Sequence, residues 1–204
     1  MKDLVILCAD KDMEFGLRGL LSRPASVGIR SISFDIFVET EHDPACARRG
    51  VAFLRMYSLQ YQNALLLFDL SGSGRDTSNR VELQRELNEG LAQSGWEQRA
   101  ATIVIDPELE AWVWSDSPHV DRVVGWTDNQ ASLREWLREQ RWLPDGESKP
   151  PNPKEAFEAA LRKCGTPRSA SLYQELGKSV GVSRCTDAAY HELLTHLRAW
   201  FPAE

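Results

Sequence analysis

The sequence predicts an α/β fold: a mostly parallel sheet flanked by helices, with a C-terminal helical segment. Three apolar runs of strand length, 4–9, 64–68 and 101–105, are separated by stretches whose apolar residues recur at helical spacing. Each run ends on an acid, Asp10, Asp69 or Asp106, as neighbouring parallel strands would if their carboxyl ends shared one sheet edge. Beyond residue 154 the pattern is helical throughout.

The elements follow in order. The first strand leads into a helix carrying Met13, Leu17, Leu20 and Leu21 on one face. Residues 31–38 alternate with period two, as a half-exposed strand does. Asp43-Pro44 reads as the cap and first residue of a helix running to about Tyr57. The run 64–68 is wholly apolar and therefore predicts a central strand covered on both faces. After Ser71-Gly72-Ser73-Gly74, residues Asp76, Thr77 and Ser78 are capping candidates for a helix bearing Val81, Leu83, Leu87 and Leu91. The strand 101–105 is followed at once by a helix from Pro107 to Trp114, and Val120–Val124 reads as a short final strand. Leu133, Trp136 and Leu137 mark another helix.

Four prolines and a glycine between Leu143 and Pro153 predict a linker or surface loop. The expected organisation is an α/β domain over 1–143, the Pro-rich stretch 144–153 and a helical segment over 154–204. Its helices are expected at Lys154–Cys164, Ser169–Val180 and Asp187–Trp200. No internal repeat is present.

Bulk chemistry narrows the classes of function. A net charge of -6 argues against a broad basic surface tracking a nucleic-acid backbone. No apolar run approaches the roughly 20 residues that span a bilayer, and the N-terminus lacks a signal-peptide cleavage pattern. A cytoplasmic protein without membrane contact is expected. The cysteines, Cys8, Cys46, Cys164 and Cys185, form no C-x-x-C pair, so neither a zinc site nor a disulfide framework is expected. The histidines lack metal-ligand spacing.

The chemistry-bearing residues follow the three strands. Close carboxylates repel by roughly 4 kcal/mol per pair at an effective dielectric near 20. A hard cation such as Mg²⁺ or Mn²⁺ is the usual compensation. In the first segment Asp10 and Glu14 either share the sheet edge or act as helix cap and dipole partner, with Asp12. In the second, Asp69 precedes a glycine-bearing loop in which Arg75 offers a fork donor to phosphate. The alternative there is a plain strand-to-helix loop capped by Asp76. The loop lacks the Gly-Lys-Ser/Thr ending of a P-loop and is not a nucleophile elbow. In the third, Asp106-Pro107-Glu108-Leu109-Glu110-Ala111-Trp112, acids two apart diverge on a helix, so Glu110 is the favoured ligand and Glu108 the reserve. Trp112 and Trp114 read as packing residues rather than base-stacking platforms.

Taken together, these segments resemble the TOPRIM-like fold shared by topoisomerases, primases and OLD-type nucleases. They are closer to a bacterial TOPRIM-like family that opens with a strand and Glu-Gly-x-x-Glu-x-x-Phe-Leu, carries Asp-x-Asp-Gly after a later strand, and shows Glu-Ala-Trp. Here Asp10 stands for the first Glu, Glu14 matches the second and Leu17 the apolar follow-up. Asp69 matches the first Asp, and Glu110-Ala111-Trp112 is unaltered. Pro153-Lys154-Glu155-Ala156 opens the tail as in the family. Two departures stand out: Lys11 replaces the glycine and Ser71 the second Asp. The C-terminal stretch from Leu172 to Pro202 is similar to a small component of methylation-associated anti-phage defence systems.

The resemblance implies a metal site of Asp10, Asp69 and Glu110 holding Mg²⁺ or Mn²⁺, with Glu14, Asp69 and Arg75 as catalytic residues. In that nuclease Glu14 orients or deprotonates water and Arg75 steadies the developing charge. It implies other defence proteins as partners, and DNA reached through the complex. A second expectation is a catalytically silent interaction or regulatory subunit, favoured by Lys11 and Ser71. A third is a phosphatase-like or nucleotide-processing enzyme acting on small substrates.

Overall fold

The structure is a computed structural model describing residues 1–115, 117–126 and 131–203. It is an α/β fold. The sheet consists of β1 (Lys2–Cys8), β2 (Phe34–Val38), β3 (Tyr61–Asp69) and β4 (Ala100–Ile105), ordered β2-β1-β3-β4 and parallel throughout. The two inner strands are buried almost end to end, from Leu4 to Cys8 and from Ala64 to Asp69. That burial explains why both read as unbroken apolar runs.

The first half of the chain is wound in βα units. After β1 comes α1 (Lys11–Leu21), then the short α2 (Pro24–Val27). After β2 comes α3 (His42–Arg55), and after β3 comes α4 (Arg80–Leu91), prolonged by a π turn over Ala92–Trp96. Helices α3 and α4 pack together on one face of the sheet, and right-handed crossovers put α1 on the other. Trp96 is fully buried and donates its indole N–H to the carbonyl of Leu54, fastening the π turn to α3 (3.1 Å).

The outer strand β4 is finished by side chains. Asn88 Oδ1 accepts from the N–H of Thr102 (2.7 Å), and Gln84 Oε1 accepts from that of Val104 (2.8 Å). Both acceptors stand on α4, so the helix supplies partners that a further strand would otherwise supply.

The remaining helices are α5 (Glu110–Val113), α6 (Pro118–Val124), α7 (Leu133–Glu139), α8 (Pro153–Cys164), α9 (Ala170–Ser179) and α10 (Ala188–Trp200). The C-terminal helical segment folds back, and α9 crosses α1 at backbone distance. A Cβ on Gly19 would lie 2.3 Å from the carbonyl oxygen of Gln174, and one on Gly177 would lie 2.4 Å from that of Gly16. Helix α10 is held to α4 by Glu192, which meets Arg80 at 2.8 Å and accepts from Gln84 at 2.9 Å.

Several boundaries differ from the sequence reading. Val120–Val124 is helix, not strand: Ser117 caps it, Pro118 takes its first position and Gly125 ends it in the left-handed conformation. Strand β2 starts only at Phe34, because the N–H of Ser33 is taken by the Asp3 carboxylate (2.8 Å). The cap of α4 is Asn79, while Asp76 accepts from the N–H of Gly72 within its own loop. Helix α5 begins at Glu110 rather than Pro107, whose carbonyl accepts from the N–H of Ser71 (3.0 Å). The Pro-rich stretch is laid down on the fold: Leu143, Pro150 and Pro153 are buried, and Trp114 donates to the carbonyl of Pro153 (2.9 Å). Among the described residues no helix is long and apolar enough to cross a membrane.

Candidate functional site

The strand order reverses between β1 and β3, and the carboxyl ends of those strands carry Asp10 and Asp69. This is the crevice where open parallel sheets receive ligands. Asp69 is the last residue of β3 and Asp10 the N-cap of α1. Asp43, in the first turn of α3, joins them from the far side: its Oδ1 accepts from the N–H of Asp69 (2.8 Å). Glu110 opens α5 and is 2% exposed.

Asp69 is the electrostatic centre of the group. It is 9% exposed, and its Oδ1 is buried without a hydrogen-bond partner. Desolvation, and then the charges of Asp43, Glu110, Asp10 and Glu108, push its carboxyl well above the ordinary range. Burial likewise raises Asp43, against the hydrogen bond it accepts from Asp69. Glu108 is raised by burial too, although its Oε1 accepts from the N–H of Lys154 (3.0 Å) and so ties the crevice to the start of α8.

The compensating charge comes from the turn between α8 and α9. The Arg168 guanidinium lies 2.9 Å from Asp12, 3.2 Å from Glu110 and 2.6 Å from Glu158, clamping α1, α5 and α8 together. The Tyr173 hydroxyl donates to the same Glu110 oxygen (2.5 Å), and its ring lies under the guanidinium, 5.9 Å from ring centre to Arg168 Cζ. Burial works against the charge on Arg168, but the oxygens of Tyr173, Asp12 and Glu110 more than offset it and hold it charged. Glu110 is raised by burial, with Tyr173 and Arg168 pulling the other way. Asp12 is raised by burial and relieved by Arg168.

The residues singled out from sequence are thus placed as follows. Asp10 and Glu110 both lie close enough to Asp69 for their charges to act on its carboxyl. The Asp10 Oδ1 also caps α1 by accepting from the N–H of Met13 (2.8 Å), so the capping alternative holds for it. Glu14 turns to Arg18 on its own helix (2.8 Å). Arg75 turns away to Glu86 on α4 (2.9 Å) and to Ser78, on an exposed loop, and does not join the acids.

Three participants escaped the sequence reading. Asp43 was legible only as a helix cap. Arg168 and Tyr173 lie 156 and 63 residues along the chain from their partners Asp12 and Glu110. No local pattern announces such contacts.

The implied Mg²⁺ or Mn²⁺ can be tested against this donor set. Glu110 already serves a guanidinium and a phenol, and Asp10 serves a backbone N–H. Among the described residues no group of three or more His, Cys, Asp or Glu side chains is arranged to hold a metal ion. As built, the residues suit an internal guanidinium and do not fit a divalent ion. Comparisons with protein-family models, curated proteins and solved structures find no match.

Proposed function

We propose that this chain is a TOPRIM-like interaction or regulatory subunit of a bacterial anti-phage defence complex, with its acidic sheet edge neutralised in part from within. The observation carrying this reading is the Arg168 guanidinium bridging Asp12 and Glu110. An arginine is permanently charged, and one Nη of Arg168 serves both Asp12 and Glu110, which relieves at Glu110 the repulsion a metal would otherwise relieve. Lys11 in place of a glycine and Ser71 in place of an acid point the same way. The place in a defence complex rests on the resemblance of the acidic segments and the C-terminal stretch. It implies other defence proteins as direct partners, with DNA reached through them.

The test combines calorimetry with phage challenge. The purified chain is expected to bind neither Mg²⁺ nor Mn²⁺ and to leave DNA intact. In cells, Asp69→Asn is expected to keep protection that deletion of the chain abolishes. DNA cleavage by the purified chain that requires metal and fails in Asp69→Ala would overturn this reading. That outcome would establish the second one, a Mg²⁺-dependent nuclease. The second reading is favoured by the unpartnered, buried Oδ1 of Asp69 among its acidic neighbours.

A further inference from the structure

Beside the close crossing of α1 and α9 the surrounding side chains leave a space unfilled. A cavity of about 70 Å³ lies among α1, α5, α9, α10 and β3, with Gly16 and Gly177 on its wall. The rest of the wall is nearly all apolar and includes Leu20, Trp112 and Leu176. An apolar cavity of this kind does not hold water well, because water needs two to four polar partners.

The exceptions on the wall are Arg23, Tyr173, Tyr190 and Cys185, and the Tyr173 hydroxyl is already given to Glu110. Arg23 stands between α1 and α2 and is only partly exposed. One of its terminal nitrogens donates to the carbonyl of Val180, and its Nε is buried without a partner. Among the described residues no carboxylate forms an ion pair with it. The other guanidinium described at a helix junction here, Arg168, has three. A partly desolvated cation without an anion is a costly arrangement, and a carboxylate is the group whose geometry a guanidinium fork matches. The hydroxyl of Tyr190 also makes no hydrogen bond among the described residues, so a second donor stands on the same wall.

We propose that this cavity binds a small monocarboxylate with an apolar body, its head on Arg23 and its body beside Leu20, Trp112 and Leu176. The volume admits a short chain or a single ring, not a long acyl tail. A phosphate dianion is a poor match, since it would meet one guanidinium and one free hydroxyl on a wall that is otherwise mostly apolar.

The probes are hexanoate and hexanol, titrated into the full chain while the Trp112 indole resonance is followed by NMR. That indole N–H donates to Asp187 at 3.0 Å, so its resonance is anchored and readable. Hexanoate is expected to bind saturably at millimolar concentration, and hexanol at least about tenfold more weakly, equivalent to about 1.4 kcal/mol. Arg23→Met is expected to abolish that preference, and Leu176→Trp to abolish binding by filling the space. No saturable shift with hexanoate, or equal binding of hexanol to the wild-type chain, overturns the proposal. The comparison of the two probes on the wild type decides it even if Arg23→Met folds poorly.

Discussion

The backbone N–H of Asp69 donates to the carboxylate of Asp43 at 2.8 Å, which ties the end of β3 to the first turn of α3. The bond draws two acids together and uses only the main chain of one of them. The carboxyl of Asp69 is left buried among like charges, with one oxygen unpaired. Much of what this crevice should do in solution follows from that imbalance.

Stability should fall as pH rises above the ordinary carboxylate range. Asp69, Asp43, Asp12, Glu108 and Glu110 all titrate higher in the folded chain than in the unfolded one. Their contribution is fully present below the unfolded value, near pH 4, and is lost as pH rises through the raised folded values. Asp3 works in the opposite sense: Arg30 holds it down to about 2, so its contribution is lost on acidification. Asp69→Asn should therefore raise the melting temperature at pH 8 by more than at pH 5. The gain expected at pH 8 is about 1 kcal/mol, or roughly 2–4 °C. Thermal melts at the two pH values check this.

Removing the hydroxyl of Tyr173 should strip a charge-assisted bond from a buried glutamate. Tyr173→Phe is expected to cost about 1.5–3 kcal/mol in denaturant unfolding. It should also move the titration of Glu110 upward, which carboxyl-detected NMR can follow. A purely steric role for Tyr173 would leave that titration where it is.

The crossing of α1 and α9 leaves no room for a methyl group. Gly19→Ala would press a carbon against the carbonyl of Gln174, and Gly177→Ala one against that of Gly16, both backbone atoms that cannot swing aside. Each should destabilise the fold by about 1–3 kcal/mol. Gly72→Ala meets no neighbour within 4 Å, but it carries a φ of +79° that an alanine tolerates poorly. It thus controls for backbone strain without crowding. Equal losses at positions 19 and 72 would refute the packing account.

Arg75→Ala should leave the melting temperature and any ligand binding at the crevice unchanged. Its partner Glu86 is exposed, and surface ion pairs of this kind contribute little. A measurable loss of phage protection in this variant would restore Arg75 to the functional residues.

The sheet was legible because its inner strands are buried on both faces and carry apolar residues without interruption, as 64–68 does. Helices α8, α9 and α10 were legible from periodicity, and the structure adds caps such as Asp187, whose side chain accepts from the N–H of Ala189 (3.0 Å). Val120–Val124 misled because three valines carry strand propensity, while Ser117, Pro118 and Gly125 around them set helical ends. That Asp10 and Asp69 stand at one sheet edge was legible from parallel topology, whereas the nearness of Glu110 to Asp69 depends on how α5 packs beyond β4. Arg168 could not be read, because a single arginine after a proline has no periodic signature and its partners lie on other elements. Arg75 failed for the complementary reason: a cation beside a glycine loop looks poised for phosphate until the acid on the next helix is seen.

The amide side chains of Asn88 and Gln84 also constrain how this molecule can assemble. With the N–H groups of Thr102 and Val104 already engaged, a strand from another chain cannot add at β4 without evicting two acceptors from α4. Gln84 is further tethered through Glu192 to α10, so eviction would disturb the C-terminal helix as well. That border of the sheet is shielded from runaway strand-to-strand polymerisation. A protein partner approaching from that side would have to recognise helical surface rather than extend the sheet.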